Sequence, residues 1–313
     1  MRDTFIQTLT ELATADPSIF LMTGDLGFAV LDDFSRRFPR QYLNVGVAEQ
    51  NMTGIATGMA LEGRTVFTYS IANFPTLRCL EQIRNDACYH EANVKIISIG
   101  CGMSYGPLGI SHHATEDLAI LRALPNIAVI SPGDRWETAH ATQAIVEHSG
   151  PALLRLDKSA ASDTAGPGDT FEWGKARRVR TGRDVTLIST GGILGEVIAA
   201  ADLLEVCSVS CRILSMHTIK PLDVDAVCAA ARETDGIVTI EEHSVEGGLG
   251  SAVAENLLES GFTPRFFHRI GLRCGFSSIV GSQSYLRKVY SLDAESIART
   301  VLFKLNALVK SVA

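Results

Sequence analysis

Val94-Lys95-Ile96-Ile97-Ser98-Ile99 (VKIISI) places apolar residues on both faces of an extended chain, Val94 and Ile96 on one and Ile97 and Ile99 on the other. A near-continuous apolar run of this length suits a strand of a parallel sheet covered on both sides. Working outward, short β-branched runs alternate with helical periodicity. Strands are expected at Ser18–Met22, Gln41–Asn44, Thr65–Tyr69, Val94–Gly100, Ile127–Ser131 and Ala152–Leu156. Helices are expected at Thr4–Thr14, Ala48–Leu61, Leu77–His90, Asp117–Leu124 and Arg135–His148. Such alternation defines an α/β doubly wound unit.

The pattern breaks around Ser159–Trp173, where AASDTAGPGD (Ala160–Asp169) reads as a linker from its composition. It then resumes with strands at Val185–Thr190, Val209–Ser215, Ile237–Glu241 and Phe266–Ile270. The helices between and after them are expected at Ile193–Val206, Val224–Glu233, Gly250–Ser260 and Asp293–Val309. The fold class expected is therefore two doubly wound α/β domains, over residues 1–165 and 178–313, joined by a linker over 159–177. A length of 313 residues supports two full cores.

Lys and Arg number 28 against 35 Asp and Glu, a formal net charge of −7 with no basic run. That balance argues against a nucleic-acid or anionic-membrane surface, since either needs a concentrated basic face. No apolar stretch approaches the roughly 18 residues of a membrane span, and Met1-Arg2-Asp3-Thr4 does not open a signal peptide. The expectation is a cytoplasmic soluble protein. The seven cysteines are odd in number and form no C-x-x-C pair, the nearest spacing being Cys207-x-x-x-Cys211. Reduced thiols are expected, with no disulfide framework and no metal site.

One segment concentrates possible chemistry. Asn44-Val45-Gly46-Val47-Ala48-Glu49-Gln50-Asn51-Met52 passes from a strand end into a helix whose opening turn holds Glu49. From position alone, the helix dipole explains a first-turn carboxylate. Gly54 and Gly58, spaced i and i+4, leave one face of that helix without side chains, which suits close approach of another helix inside or outside the domain.

Asn44–Gly63 (NVGVAEQNMTGIATGMALEG) resembles the segment of transketolases and related thiamine-diphosphate enzymes that supplies the cofactor-activating glutamate. In the same order, GPLGISHHATED (Gly106–Asp117) resembles the family's G-E-D-G-x-T-H-Q-x-x-E-D, and LPNIAVISPG (Leu124–Gly133) resembles its L-P-N-x-x-V-x-x-P. HTIKPLD (His217–Asp223) and EEHSVEGGLGSA (Glu241–Ala252) resemble segments of the family's C-terminal domain. The resemblance spans essentially the whole chain but only the C-terminal half of a full-length transketolase, its pyrimidine-binding and C-terminal domains.

The resemblance implies thiamine diphosphate as cofactor, shared with a second polypeptide. The family's diphosphate and metal motif begins G-D-G and ends in a distal Asn. Thr23-Gly24-Asp25-Leu26-Gly27 lacks that pattern, so Mg²⁺ or another divalent metal is expected on an N-terminal transketolase partner subunit. The family's architecture further implies a homodimeric core in an α2β2 assembly and a small-molecule sugar or 2-oxo substrate. By resemblance, Glu49 drives the aminopyrimidine toward its imine tautomer, Phe74 stacks on the pyrimidine, and Tyr69 forms a weaker second wall. Asp25 matches an aspartate near the cofactor, although a helix N-cap would explain it equally. His112 borders the reacting centre, with His113 in place of the family's Gln as a second polar group.

Departures fall at the substrate end. Pro107-Leu108 replaces a Glu-Asp pair whose Asp reads a substrate hydroxyl, and Leu108 can accept no hydrogen bond. Gly100 stands where the family has a phosphate-contacting histidine, and Lys158 where it has an arginine, losing the bidentate fork. Arg2 keeps the place of the first phosphate-binding arginine, at a terminus expected to fray. The expected activity is a transketolase-like transfer of a two-carbon ketol or acyl unit to an aldehyde, with an altered substrate. The β subunit of a 2-oxoacid dehydrogenase decarboxylase and a catalytically silent partner chain are the alternatives. Gly247-Gly248-Leu249-Gly250-Ser251, Glu241-Glu242-His243 and His217 are expected to be structural.

Overall fold

The structure, a computed structural model, describes residues 1–158, 163–273 and 275–312, with side chains through Leu308. Residues 159–162 of the expected linker and Cys274 lie outside the described residues. Among the described residues, twelve strands run in chain order. The first six are β1 (Ile19–Thr23), β2 (Tyr42–Asn44), β3 (Thr65–Ile71), β4 (Val94–Ile99), β5 (Ala128–Ile130) and β6 (Ala152–Leu156). The second six are β7 (Arg177–Arg180), β8 (Val185–Thr190), β9 (Cys211–Ser215), β10 (Thr218–Lys220), β11 (Gly236–Ser244) and β12 (Phe266–Leu272). They form a seven-stranded sheet ordered β10-β5-β6-β4-β3-β1-β2 and a five-stranded sheet ordered β12-β11-β8-β9-β7. Both are parallel except at β10 and β7, which pair antiparallel at an edge.

Strand β4 is the hub of the larger sheet, and all six of its residues are buried. Val94 and Ile96 join an apolar cluster with Met52, Val66 and Ile83, while Ile97 and Ile99 join Phe5, Leu21 and Phe67 on the opposite face. Lys95, the one charge in the run, donates from Nζ to the carbonyls of His148 (2.7 Å) and Gly150 (2.6 Å). Burial holds its pKa down to about 7.

The expected strands and most helices lie where their periodicity puts them, with ends shifted by at most three residues. The expected helix Leu77–His90 differs: it opens as a 3₁₀ turn (Leu77–Cys79), passes one short α segment (Leu80–Gln82) and widens into a π turn (Ile83–Cys88). Four short elements carry too little periodicity to read: β7, β10 and the helices Asp32–Arg37 and Gln283–Val289. Strand β10 matters most, because a segment of the second half completes the first half's sheet, with Thr218 opposite Ile130 and Lys220 opposite Val129. The terminus is held rather than frayed, since Met1 is buried and Arg2 opens the helix Arg2–Ala15.

Buried charges tie the halves together. Arg177 on β7 donates to Glu137 (2.6 Å), Asp134 (2.8 Å) and Asp169 (3.1 Å). Glu137 also accepts from Gly133 N–H and the Ser215 hydroxyl. The glycine-rich segment Gly247–Ser251 is structural as expected: the helix Leu249–Glu259 has its N-terminal amides satisfied by the chain's own Glu241, at 2.7 Å from Leu249 N and 2.8 Å from Gly250 N. The six described cysteines are free. No helix among the described residues is long and apolar enough to cross a membrane.

His217 stacks on Phe171 with ring centroids 4.3 Å apart. Burial first, and then the charge of Arg177, lower its pKa from 6.5 to about 4. The unfolded chain therefore takes up this proton before the folded one, so stability present above pH 6.5 is lost as the pH falls toward 4, by an amount of order 3 kcal/mol. Thermal melts across this window should show His217→Gln losing less stability than the parent; equal slopes would remove His217 as the cause.

Candidate active site

Glu49 is the first residue of the helix Glu49–Leu61 and is 2% exposed. The chain reaches it from β2 through Gly46, whose φ of +74° makes the turn and whose carbonyl accepts from Ala48 N–H at 2.7 Å. Gly24, after β1, lies directly against the carboxyl group: a Cβ there would sit 3.1 Å from Glu49 Cγ. The Glu49 carboxylate accepts from Arg78 Nη1 at 2.8 Å. The Arg78 guanidinium in turn lies over the Phe74 ring, 4.5 Å from its centroid.

From Phe74 the contacts continue across the mouth of the sheet. His112 meets Phe74 edge-on at 5.3 Å and Tyr105 at 6.1 Å between centroids, and Lys158 Nζ lies 4.6 Å from the Tyr105 centroid. Glu49, Phe74, His112 and Lys158, remote in sequence, thus form one continuous row at the C-terminal ends of the parallel strands. That edge is where open α/β sheets place ligands. Burial, and then His113, hold the His112 imidazole below its ordinary pKa. It is neutral at pH 7 and can both donate and accept, with Ser111 Oγ 2.9 Å from Nδ1.

The other expected residues divide. Arg2 is near Tyr69 and Tyr105, and its guanidinium is paired with Asp3 at 2.9 Å. Leu108 is exposed beside the row in the 3₁₀ turn Gly106–Leu108. His113 is buried with neither ring nitrogen hydrogen-bonded among the described residues, and its carbonyl accepts from the Asn73 amide. Tyr69 is buried with its ring against Phe5, which raises the pKa of its phenol. Asp25 caps no helix. It is exposed at a φ of +58° and exchanges hydrogen bonds with Asn44, amide to Oδ1 and Nδ2 to carboxylate, both 3.0 Å.

Two residues in the row escape sequence reasoning, Arg78 and Tyr105. Arg78 follows Phe74 by four, the spacing of one helical turn, and that proximity is its only signal. Tyr105 is explained by Gly100. At a φ of +93°, Gly100 leaves its β position to the Tyr105 ring, since a Cβ there would lie 2.1 Å from Cδ2 and Cε2. Where the family resemblance expects a histidine, this chain substitutes an aromatic wall brought from five residues on. Burial raises the phenol's pKa, so it is a hydroxyl at neutral pH.

The second half fixes this loop from behind. Glu242 on β11 accepts from Met103 N–H at 2.6 Å and from Arg287 Nε at 2.6 Å. Gln283 bridges Glu242, Asp157 and Ser104. Arg155 pairs with Asp117 at 2.8 Å and donates to the carbonyls of Ala114 and Glu242. Glu241-Glu242-His243, expected to be structural, lies at a contact between the halves.

A buried carboxyl next to a half-exposed aromatic face suits a flat, hydrogen-bonding heterocycle. Among the described residues no cluster of His, Cys, Asp or Glu suits a metal ion. Comparison agrees with this two-part α/β layout. The model of the transketolase pyrimidine-binding domain matches residues 1–163, and that of the transketolase C-terminal domain matches residues 174–297.

The chain is 36% identical over 304 residues to one of the subunits of the apulose-4-phosphate transketolase of Phocaeicola vulgatus, covering 96% of each. It is also 36% identical over 300 residues to the SqwH subunit of the 6-deoxy-6-sulfo-D-fructose transketolase of a Clostridium species, covering 96% of this chain and 92% of that one. A solved structure, described as a split gene transketolase in an inactive beta4 tetramer, superposes with a TM-score of 0.86 at 34% identity, covering 97% of both chains. This chain belongs to the transketolase family.

Gly100→Ala should destabilise the chain by about 2–4 kcal/mol, from a strained φ and the collision with Tyr105. In denaturant melts, Tyr105→Gly in the same chain should recover about 1 kcal/mol or more beyond additivity. Simple additivity would mean that the ring does not depend on the missing side chain.

Proposed function

We propose that this chain is the C-terminal (β) subunit of a two-chain, thiamine-diphosphate-dependent transketolase-like enzyme that moves a two-carbon ketol unit to an aldehyde acceptor. The observation that carries the reading is Glu49: a buried carboxyl at a helix start, beside Phe74, with Gly24 clearing the space against it. When bound, thiamine diphosphate supplies the carbon nucleophile that takes up and hands on the two-carbon unit. Glu49 holds a proton against the pyrimidine ring nitrogen and so makes the opposite amino group a base. Phe74 offers the stacking face. His112 stands where it can hydrogen-bond donor and acceptor oxygens. A partner chain supplies the diphosphate- and metal-binding half, and this chain alone is inactive.

The outer surface supports assembly. Along the helix that begins with Glu49, a Cβ at Gly54 or Gly58 would meet nothing within 4 Å, so the smooth face is unused within the chain. Val47, 74% exposed, and Leu61 lie at its two ends. We assign this face to a homodimeric core flanked by two partner chains. The relatives' names favour transketolase chemistry over a 2-oxoacid dehydrogenase. The departures at Leu108, Gly100 and Lys158 favour a sugar substrate other than the usual pentose phosphates, held at its anionic end by Lys158 and Arg2.

With the partner present, Glu49→Gln should lower turnover by about 100-fold or more while the complex still elutes intact; near-normal turnover would refute the assignment. Gly54→Leu should leave the isolated fold as stable or up to about 1 kcal/mol more stable, because leucine outranks glycine in a helix, while sedimentation shows self-association lost. An unchanged association state would release this face from the interface. Efficient conversion of xylulose 5-phosphate with ribose 5-phosphate by the reconstituted pair would argue against the altered substrate.

A further inference from the structure

We infer that Arg78 is a displaceable occupant of the pyrimidine seat, so that the cofactor must expel its side chain to bind. The inference rests on the reading of Glu49 and Phe74 given above. Two contacts define that seat for a flat heterocycle, a hydrogen bond to the Glu49 carboxyl and a face on Phe74. Arg78 makes both at once, with Nη1 2.8 Å from Glu49 Oε2 and its guanidinium carbon 4.5 Å from the Phe74 centroid. A guanidinium is planar, donates N–H in its plane and stacks on aromatic faces, which is how it can stand in for an aminopyrimidine.

Electrostatics explain why something must be there. Glu49 is almost fully buried, and a buried carboxylate without a partner is costly. Among the described residues Arg78 is the carboxylate's one side-chain partner, and Glu49 is the guanidinium's one hydrogen-bonded side-chain partner. The two ends of this pair differ. The carboxylate is enclosed, while the Arg78 side chain is 44% exposed and reaches in from the surface.

The backbone carrying it is firmly held. Thr76 Oγ1 donates to Ala72 O (3.0 Å), Cys79 Sγ to Phe74 O (3.2 Å), and Arg78 N–H to Asn73 O (3.1 Å). Release is therefore a rotation of one long side chain into solvent, with Phe74 left in place. The device keeps the carboxyl group paired when the seat is empty.

The test is a binding titration on the assembled pair, this chain co-purified with the chain that carries the diphosphate half. Thiamine diphosphate with Mg²⁺ is the probe, and heat or intrinsic fluorescence is the readout. Arg78→Met keeps the stem and removes the plane and charge. It should lower the dissociation constant about fivefold or more, because the competent state is then populated without displacing a competitor. Arg78→Lys, charged but not planar, should fall between Met and the parent. A dissociation constant that is unchanged or raised in Arg78→Met overturns the inference. Glu49→Gln and Phe74→Ala separate the two claims. If both weaken binding while Arg78→Met also weakens it, the seat stands and the occupant role falls. If either leaves binding unchanged, the seat reading falls and takes this inference with it.

Discussion

A single carboxylate reaching across the molecule sets the geometry of everything around the site. Glu242 leaves the second sheet and ends among the amides and side chains of the first half, where it receives Met103 N–H and Arg287 together. An ionised group taken out of water this completely is stable only when its oxygens are met by charge and by backbone donors. Gly102 shows how close the approach is, since a Cβ there would lie 2.5 Å from Glu242 Oε1. The loop beyond it is closed by the bridge between Gly102 and Ala114 and by Arg155 on the Ala114 carbonyl. Tyr105, Leu108 and His112 all ride on this loop. Among the described residues the second half contributes none to the row of site side chains, yet it decides where two of them, Tyr105 and His112, stand.

The sequence disclosed the fold well because parallel strands buried on both faces leave a dense apolar signal, as in β4, β6 and β8, and because the helices between them span several turns. It disclosed less where an element is short. Thr218–Lys220 is three residues long, and nothing local tells it to leave its own half and pair with β5. Glu49, Phe74 and His112 were legible because motifs mark them, and the structure brings all three together. Arg78 was not, since an arginine near a helix start usually faces solvent and its value here comes from a long-range pair with Glu49. Tyr105 was hidden for a related reason. Its role is the complement of an absence, the missing side chain of Gly100, and an absence gains meaning only when the chain is folded.

That complement gives the departures a common sense. Gly100, Leu108 and Lys158 read separately as losses from a sugar-phosphate grip. In space, Gly100 admits the Tyr105 ring, Lys158 lies against that ring, and Leu108 is exposed a few residues along the same loop. The result is a wall with one aromatic face, one aliphatic side chain and one cation on a flexible stem. Such a wall recognises shape and a point charge, and Lys158 cannot make the bidentate clamp on a phosphate that an arginine in its place would.

The row of side chains has a finished side and an unfinished one. Behind it lie β4, the buried start of the loop at Cys101–Met103 and the charge network on Glu242. In front, Val47 is exposed two residues before Glu49, at the start of a helix with no side chain at Gly54 or Gly58. A carboxyl that must exchange a proton with a bound ring needs water excluded at that moment. On the reading proposed for Glu49, this chain builds the floor and back of such an enclosure. Its remaining walls then come from the proposed assembly, which makes the chemistry proposed for Glu49 and the joining of the subunits one problem.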